Sequence, residues 1–204
     1  MNRPGKIVCI GRNYREHAKE LGNQVPAEPL FFLKPSTSII GEGEPIILPP
    51  QSERVEFEGE IGIVIGQRLT RANEEATKDA VSGVVAINDV TARDLQKKDS
   101  QWTRAKGFDS FCPMGSVAAS FGDLSSLTII TRVNGEERQR GSSRDMVFSI
   151  PMLLSYVSHV MTLEPGDVVA TGTPSGVGAL ADGDIVEVEI EGLSKVTNPV
   201  RGAR

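Results

Sequence analysis

Two cysteines and two histidines are all that the 204 residues contain of either type. A zinc site built from Cys and His therefore has almost no ligands to draw on, and any metal here must be held mainly by oxygen. Cys9 and Cys112 lie far apart and read as free thiols of a reducing compartment rather than a disulfide frame. Aromatics are only 5% of the chain, against 21 Gly and 12 Pro, which points to short elements and many turns rather than a helical bundle. No apolar stretch approaches the roughly 18 residues of a membrane helix. The apolar run after Lys6 is also too short for a signal-peptide core. The cytoplasm is thus the expected location, with no membrane partner. Basic residues are outnumbered, 22 Lys and Arg against 27 Asp and Glu, and a net charge of −5 speaks against nucleic-acid binding. What is present is ordinary for a globular protein: 39% hydrophobic and 24% charged residues exclude a mainly disordered chain. The length predicts one domain over 1–204.

Periodicity divides the chain into short elements, with no internal repeat and no linker long enough to separate domains. Residues 6–11 (KIVCIG), 30–34 and 46–48 read as strands. Residues 13–21 read as a helix, with Asn13 and Glu16 at capping-box spacing and Gly22 as its stop. Residues 55–65 carry the clearest strand signal: Val55, Phe57, Ile61, Ile63 and Ile65 alternate on one face, and Gly59 fills the gap. A modest helix at 74–81, a buried strand at 84–87 ending at Asn88-Asp89, and a helical turn at 92–98 follow. Residues 127–133 and 136–140, joined by Asn134-Gly135, predict a hairpin. An apolar helix at 149–159 tolerates Pro151 near its start and suits either a core or a dimer interface. Strands at 168–170 and 185–190 sit among Gly-rich turns. Strands dominate, so the fold class is β-rich α+β rather than doubly wound.

Several groups could carry chemistry. Glu56, Glu58 and Glu60 share the strand face opposite the isoleucines, about 6.6 Å apart along the backbone. Two full charges at that distance repel by roughly 0.6 kcal/mol in water and about 2.5 kcal/mol at an effective dielectric of 20. A solvated edge tolerates this, whereas a cleft requires a cation. Asp89 closes a short apolar strand and either caps the next helical turn, a task Thr91 could also perform, or joins the glutamates in a site for Mg²⁺, Mn²⁺ or Ca²⁺. His17 and Glu20 share a helix face, where Glu20 could orient the imidazole as a general base, or the pair could be a surface decoration. His159, ending an apolar helix, reads as structural. Lys106, near Trp102, Phe108 and Phe111, is either a snorkelling surface lysine or a positive charge beside a developing enolate. Arg93 suits a carboxylate or a structural ion pair. The segment from Gly172 to Gly178 could cradle an anion with backbone N–H groups. It is neither a P-loop nor GxGxxG.

The ordered set CIGRNYREHAKEL, FFLKP, EFEGEIGIVIG, INDVTARDLQ, WTRAKGFDSFCP, VNGEERQ, MVFSIPMLLSYVS and LEPGDVVATGTPSGVG resembles the fumarylacetoacetate hydrolase family, covering most of the chain from Lys6 to about Glu189. No single piece is diagnostic; the set is. The resemblance implies a mixed-sheet β-roll, a homodimer, and metal-dependent chemistry on a small 2-oxo acid. It maps the divalent ion, Mg²⁺ ahead of Mn²⁺ or Ca²⁺, onto Glu58, Glu60 and Asp89, with Glu56 outside the triad. The catalytic dyad falls on His17 and Glu20, the lysine on Lys106, and substrate contacts on Arg93, Gln96 and Thr173. Among the activities it implies, hydrolysis of acylpyruvates to pyruvate leads. Decarboxylation or tautomerisation of oxaloacetate, and isomerisation of a 5-carboxymethyl-2-hydroxymuconate type, use the same enolate. Two departures stand out. Gly59 replaces a bulkier apolar residue, which predicts a looser strand, and the stretch between Gln96 and Trp102 is shorter than in many relatives.

Overall fold

A computed structural model describes residues 3–20 and 22–203; Leu21, the end of the first expected helix, lies outside them. In chain order the strands are β1 (Ile7–Gly11), β2 (Leu30–Lys34), β3 (Ile39–Ile40), β4 (Ile46–Leu48), β5 (Val55–Phe57), β6 (Gly59–Ile65), β7 (Val81–Asn88) and β8 (Thr91–Ala92). They continue with β9 (Cys112–Pro113), β10 (Thr128–Val133), β11 (Glu136–Ser142), β12 (Val168–Ala170), β13 (Gly178–Ala179), β14 (Ile185–Ile190) and β15 (Ser194–Gly202). The helices are α1 (Arg15–Glu20), α2 (Glu74–Lys78), α3 (Arg93–Lys98), α4 (Thr103–Lys106) and α5 (Ile150–Val160). No helix is long and apolar enough to cross a membrane.

Two five-stranded sheets carry the fold, ordered β2-β1-β12-β6-β7 and β11-β10-β14-β15-β4. Both are mixed: β1 runs parallel to β12 and β15 parallel to β4, while the remaining pairs are antiparallel. The small sheet β13-β5-β8 and the β3-β9 pair complete a β-rich α+β architecture. The main core packs Ile61, Ile63, Ile129 and Val188 with Leu153, Leu154 and Val157 of α5. The apolar side of α5 is therefore spent on the core. Its Ser149 cap accepts from the Met152 N–H, and Pro151 sits in the first turn, where its missing N–H costs little. Asn134 and Gly135, both at positive φ (53° and 80°), make the tight β10–β11 turn.

The long strand expected at 55–65 is two. It breaks at Glu58, whose N–H donates to Asn88 Oδ1 at 3.0 Å rather than continuing the ladder. Val55 and Phe57 then pack in a second cluster with Val90, Ala92 and Phe111. Gly59 is not loose. Its N–H donates to Gln139 and its carbonyl accepts from Thr173 Oγ1, while a Cβ there would lie 2.0 Å from Thr131 Oγ1. Asn13 does not cap α1; its amide is spent on the Phe148 and Thr171 backbone, which ties β1 to distant chain. Gly22 does close that segment, at φ 68°, donating to the Lys19 carbonyl. The helix expected at 74–81 ends at Lys78, because Val81 already belongs to β7.

Candidate active site

Residues of β1, β2 and β6, of α1, α3 and α4, and of the segments after β5, β7 and β12 meet at one cavity of about 470 Å³, which all nine expected site residues line. Glu58 sits at the β5–β6 break and Glu60 is the second residue of β6. Asp89 follows β7, and its N–H donates to the Glu58 carbonyl at 2.8 Å, fastening the two acidic segments together. One carboxylate oxygen from each of Glu58, Glu60 and Asp89 lies within 4.8 Å of the others, and all three residues are buried. Burial removes the solvated-edge alternative for the glutamates. It also removes the capping alternative for Asp89, since α3 has Ala92 at its N-cap and no side-chain cap.

Cations answer most of this charge. Lys106 Nζ donates to Glu58 Oε2 at 2.7 Å and to Asp89 Oδ2 at 2.6 Å, with only 2% of its side chain exposed, so it is no snorkelling lysine. Arg93 donates through Nε to Glu56 Oε2 at 2.6 Å, through a second nitrogen to Glu58 Oε1, and through a third to Gln96 Oε1. Lys34, buried at the end of β2, donates to Asp89 Oδ1 at 2.6 Å and to the Val90 carbonyl. No basic side chain among the described residues pairs with Glu60, whose Oε2 instead accepts from the Gly172 N–H at 2.8 Å. Burial pushes Glu58 up, but Lys106 and Arg93 outweigh it and hold the carboxyl far below the usual range. Burial, with the neighbouring Asp89 and Glu58 charges, drives Glu60 well above it. For Lys106 burial works against the charge, yet Asp89 and Glu58 leave its pKa raised. Glu58 and Asp89 are answered by Lys34, Arg93 and Lys106, and Glu56 by Arg93 and the exposed Arg54, which leaves Glu60 as the carboxyl of this group with no basic partner among the described residues. All-oxygen donors converging around a carboxylate with no counter-charge fit a hard divalent ion.

The Gly-rich loop after β12 does cradle anions, and they are the protein's own. Gly172, at φ 100°, aims its N–H at Glu60, and Gly176, also at φ 100°, aims its N–H at Glu20 at 3.1 Å. Glu20 in turn meets His17 Nδ1 at 3.2 Å, leaving the buried imidazole facing the cavity. Thr173 accepts from Gln139 Nε2 at 2.8 Å. Gln139 thereby joins Gly59, Thr173 and Pro174 and holds the loop against the metal-ligand segment. His159 is exposed, and its ring Nδ1 meets the Ser155 carbonyl at 2.9 Å. Both cysteines are buried and free, and burial pushes the Cys112 thiol up to about 12.

Sequence reasoning missed Lys34 and Gln139, although FFLKP and VNGEERQ contain them. A lone lysine ending an apolar strand was the available signal for the first. Phe32, Trp102 and Arg12 also line the cavity and had no assigned role.

The model of the fumarylacetoacetate (FAA) hydrolase C-terminal region matches residues 6–201. The oxaloacetate tautomerase FAHD1, mitochondrial, of Homo sapiens is 43% identical over 94% of this chain and 89% of its own. An oxaloacetate decarboxylase, mitochondrial, of Dictyostelium discoideum is 43% identical over 92% of this chain and 89% of its own. Among solved structures, a 5-carboxymethyl-2-hydroxymuconate delta-isomerase of Mycobacterium smegmatis superposes with a TM-score of 0.92 at 44% identity, covering 99% of this chain and 80% of its own.

Proposed function

The chain belongs to the fumarylacetoacetate hydrolase family, and from that premise we propose that it is a divalent-metal-dependent enzyme of 2-oxo acids whose reactions share an enolate. The observation that carries this reading is the convergence of the Glu58–Glu60–Asp89 triad, Lys106 and the His17–Glu20 dyad on one cavity. A divalent ion at the triad, Mg²⁺ as the first choice, supplies Lewis-acid stabilisation of charge developing on the C2 oxygen. Its charge would also answer Glu60, the carboxyl without a basic partner, and suit an anionic substrate.

For an acylpyruvate, His17 takes a proton from water, and the water oxygen attacks the C4 carbonyl. The C3–C4 bond then breaks, its electron pair passes into the C2–C3 enolate, and protonation at C3 gives pyruvate beside the released acid. Glu20, anchored by the Gly176 N–H, fixes the imidazole for this step. Lys106 places an ammonium beside the developing negative charge. Arg93, Gln96 and Thr173 contact the substrate carboxylate, and Arg93 also keeps Glu58 ionised. A second reading, decarboxylation or tautomerisation of oxaloacetate, is supported by the two relatives at 43% identity. It needs no attacking water; the dyad then moves a proton at C3 or positions the substrate. In either case residues 1–204 act as one catalytic domain, and the protein is a homodimer, which sedimentation analysis tests.

Pyruvate release from acetylpyruvate and from oxaloacetate, side by side with Mg²⁺ and with EDTA, separates these readings. EDTA-sensitive release from acetylpyruvate supports the hydrolase. His17→Asn then lowers kcat by about 10²–10⁴ while Mg²⁺ binding persists. EDTA-sensitive release from oxaloacetate alone selects the second reading, and near-wild-type hydrolysis by the variant removes His17 as the base.

A further inference from the structure

We propose that Arg12 receives a second, distal carboxylate of the substrate, so that this enzyme is selective for 2-oxo dicarboxylic acids; the inference rests on the functional reading above and specifies its substrate class. The cavity has a charged group at each end of an aromatic wall. At the buried end, Lys106 Nζ stands 5.0 Å from the Phe32 ring centre. Phe32 meets Trp102 edge to face, with centroids 5.4 Å apart and planes at 74°. At the other end, the Arg12 guanidinium carbon lies 5.9 Å from the Trp102 centroid. Lys106, Phe32, Trp102 and Arg12 all line the same cavity.

The two cations differ in what answers them. Lys106 is spent on Glu58 and Asp89, whereas Arg12 has no acidic partner among the described residues and is only half-buried. Lys97, exposed in the last turn of α3, lines the same cavity and has no acidic partner among the described residues. An unpaired guanidinium over an aromatic face presents a planar set of donors matched to a carboxylate. The backbone is held to this arrangement at a cost. Arg12 has φ 59°, a left-handed conformation that is uncommon and strained for an arginine. It directly precedes Asn13, whose side chain is fastened to Phe148 and Thr171. Gly11 makes room for the wall, since a Cβ there would lie 3.1 Å from the Trp102 ring. A substrate with its 2-oxo acid at the triad and an anionic tail along the wall meets a cation at each end.

The test is calorimetric binding, with Mg²⁺ present, of 2-oxoadipate and of 2-oxohexanoate, which share six carbons and differ in the terminal carboxylate. Wild-type protein is expected to bind the dicarboxylate at least tenfold more tightly. Arg12→Asn should bring the two within about twofold by weakening only the dicarboxylate. Asparagine suits the left-handed backbone, so this variant should keep or raise the melting temperature. Lys97→Gln, at an exposed position, should reduce the preference by a smaller factor. Equal affinities in wild-type protein, or a preference that survives Arg12→Asn, overturns the inference while leaving the 2-oxo-acid reading intact. Binding of neither acid overturns that reading itself.

Discussion

On the outer face of the β10–β14 pair, Arg132 bridges Glu187 and Glu189 at 2.7 and 2.8 Å, with about a quarter of each side chain exposed. At the cavity, Lys106 bridges Glu58 and Asp89 at 2.7 and 2.6 Å, with no more than 6% of any of them exposed. The geometries nearly coincide, but the consequences do not. Water can replace either partner of Arg132, and an exposed pair of this sort is worth about 0–1 kcal/mol. Lys106 is almost wholly withdrawn from solvent, and removing it strands two buried carboxylates. The comparison teaches that ion-pair distance says little about energetic stake; access to solvent and the number of charges sharing each partner decide it.

The largest way to break the comparison is Lys106→Met. It should lower unfolding free energy by about 3–5 kcal/mol, read from the urea midpoint, because Glu58 and Asp89 lose a shared counter-charge. A loss below about 1 kcal/mol would mean that solvent enters the cluster freely. Glu60 should give an intermediate effect of opposite sign in metal-free protein. A carboxyl whose folded pKa is raised opposes folding above its unfolded pKa, and the penalty vanishes as the pH falls and the folded state takes up the proton. In EDTA at neutral pH, Glu60→Gln should therefore raise the melting temperature by a few degrees, about 1 kcal/mol for a chain of this size. The gain should shrink on acidification. A constant gain across pH would assign it to packing. The smallest effect belongs to Arg132→Ala, expected within about 1 kcal/mol of wild type and weaker still at high salt, as measured by the same urea titration.

Local patterns made much of the fold legible. The alternation at 55–65, the Asn134-Gly135 turn and the Ser149–Pro151 helix start are each decided within a few residues, and each has a counterpart in the structure. The break at Glu58 was not legible, because period-two alternation continues through it and the interrupting bond comes from Asn88, 30 residues away. The short strands β3, β8, β9 and β13 likewise exist only through their partners. At the site, the acidic residues and the dyad were visible as an ordered set, but their burial was not. It depends on Lys34, Arg93 and Lys106 arriving from three separate segments. The glycine loop was legible as an anion cradle; that its anions are Glu60 and Glu20 required the folded chain. Gly59 shows the same limit from the other side. The lack of a side chain suggested looseness, whereas Thr131 crowds the position and Gln139 and Thr173 fasten it.

The account's central claim is that the buried triad, with Glu60 lacking a counter-charge, holds a divalent cation. Calorimetric titration of Mg²⁺ into EDTA-stripped, dialysed protein, with Glu60→Gln in parallel, tests it most directly. The account predicts one site per chain in wild-type protein and loss of that site in the variant. Saturable uptake that is unchanged by Glu60→Gln, or no uptake by folded wild-type protein, would contradict it.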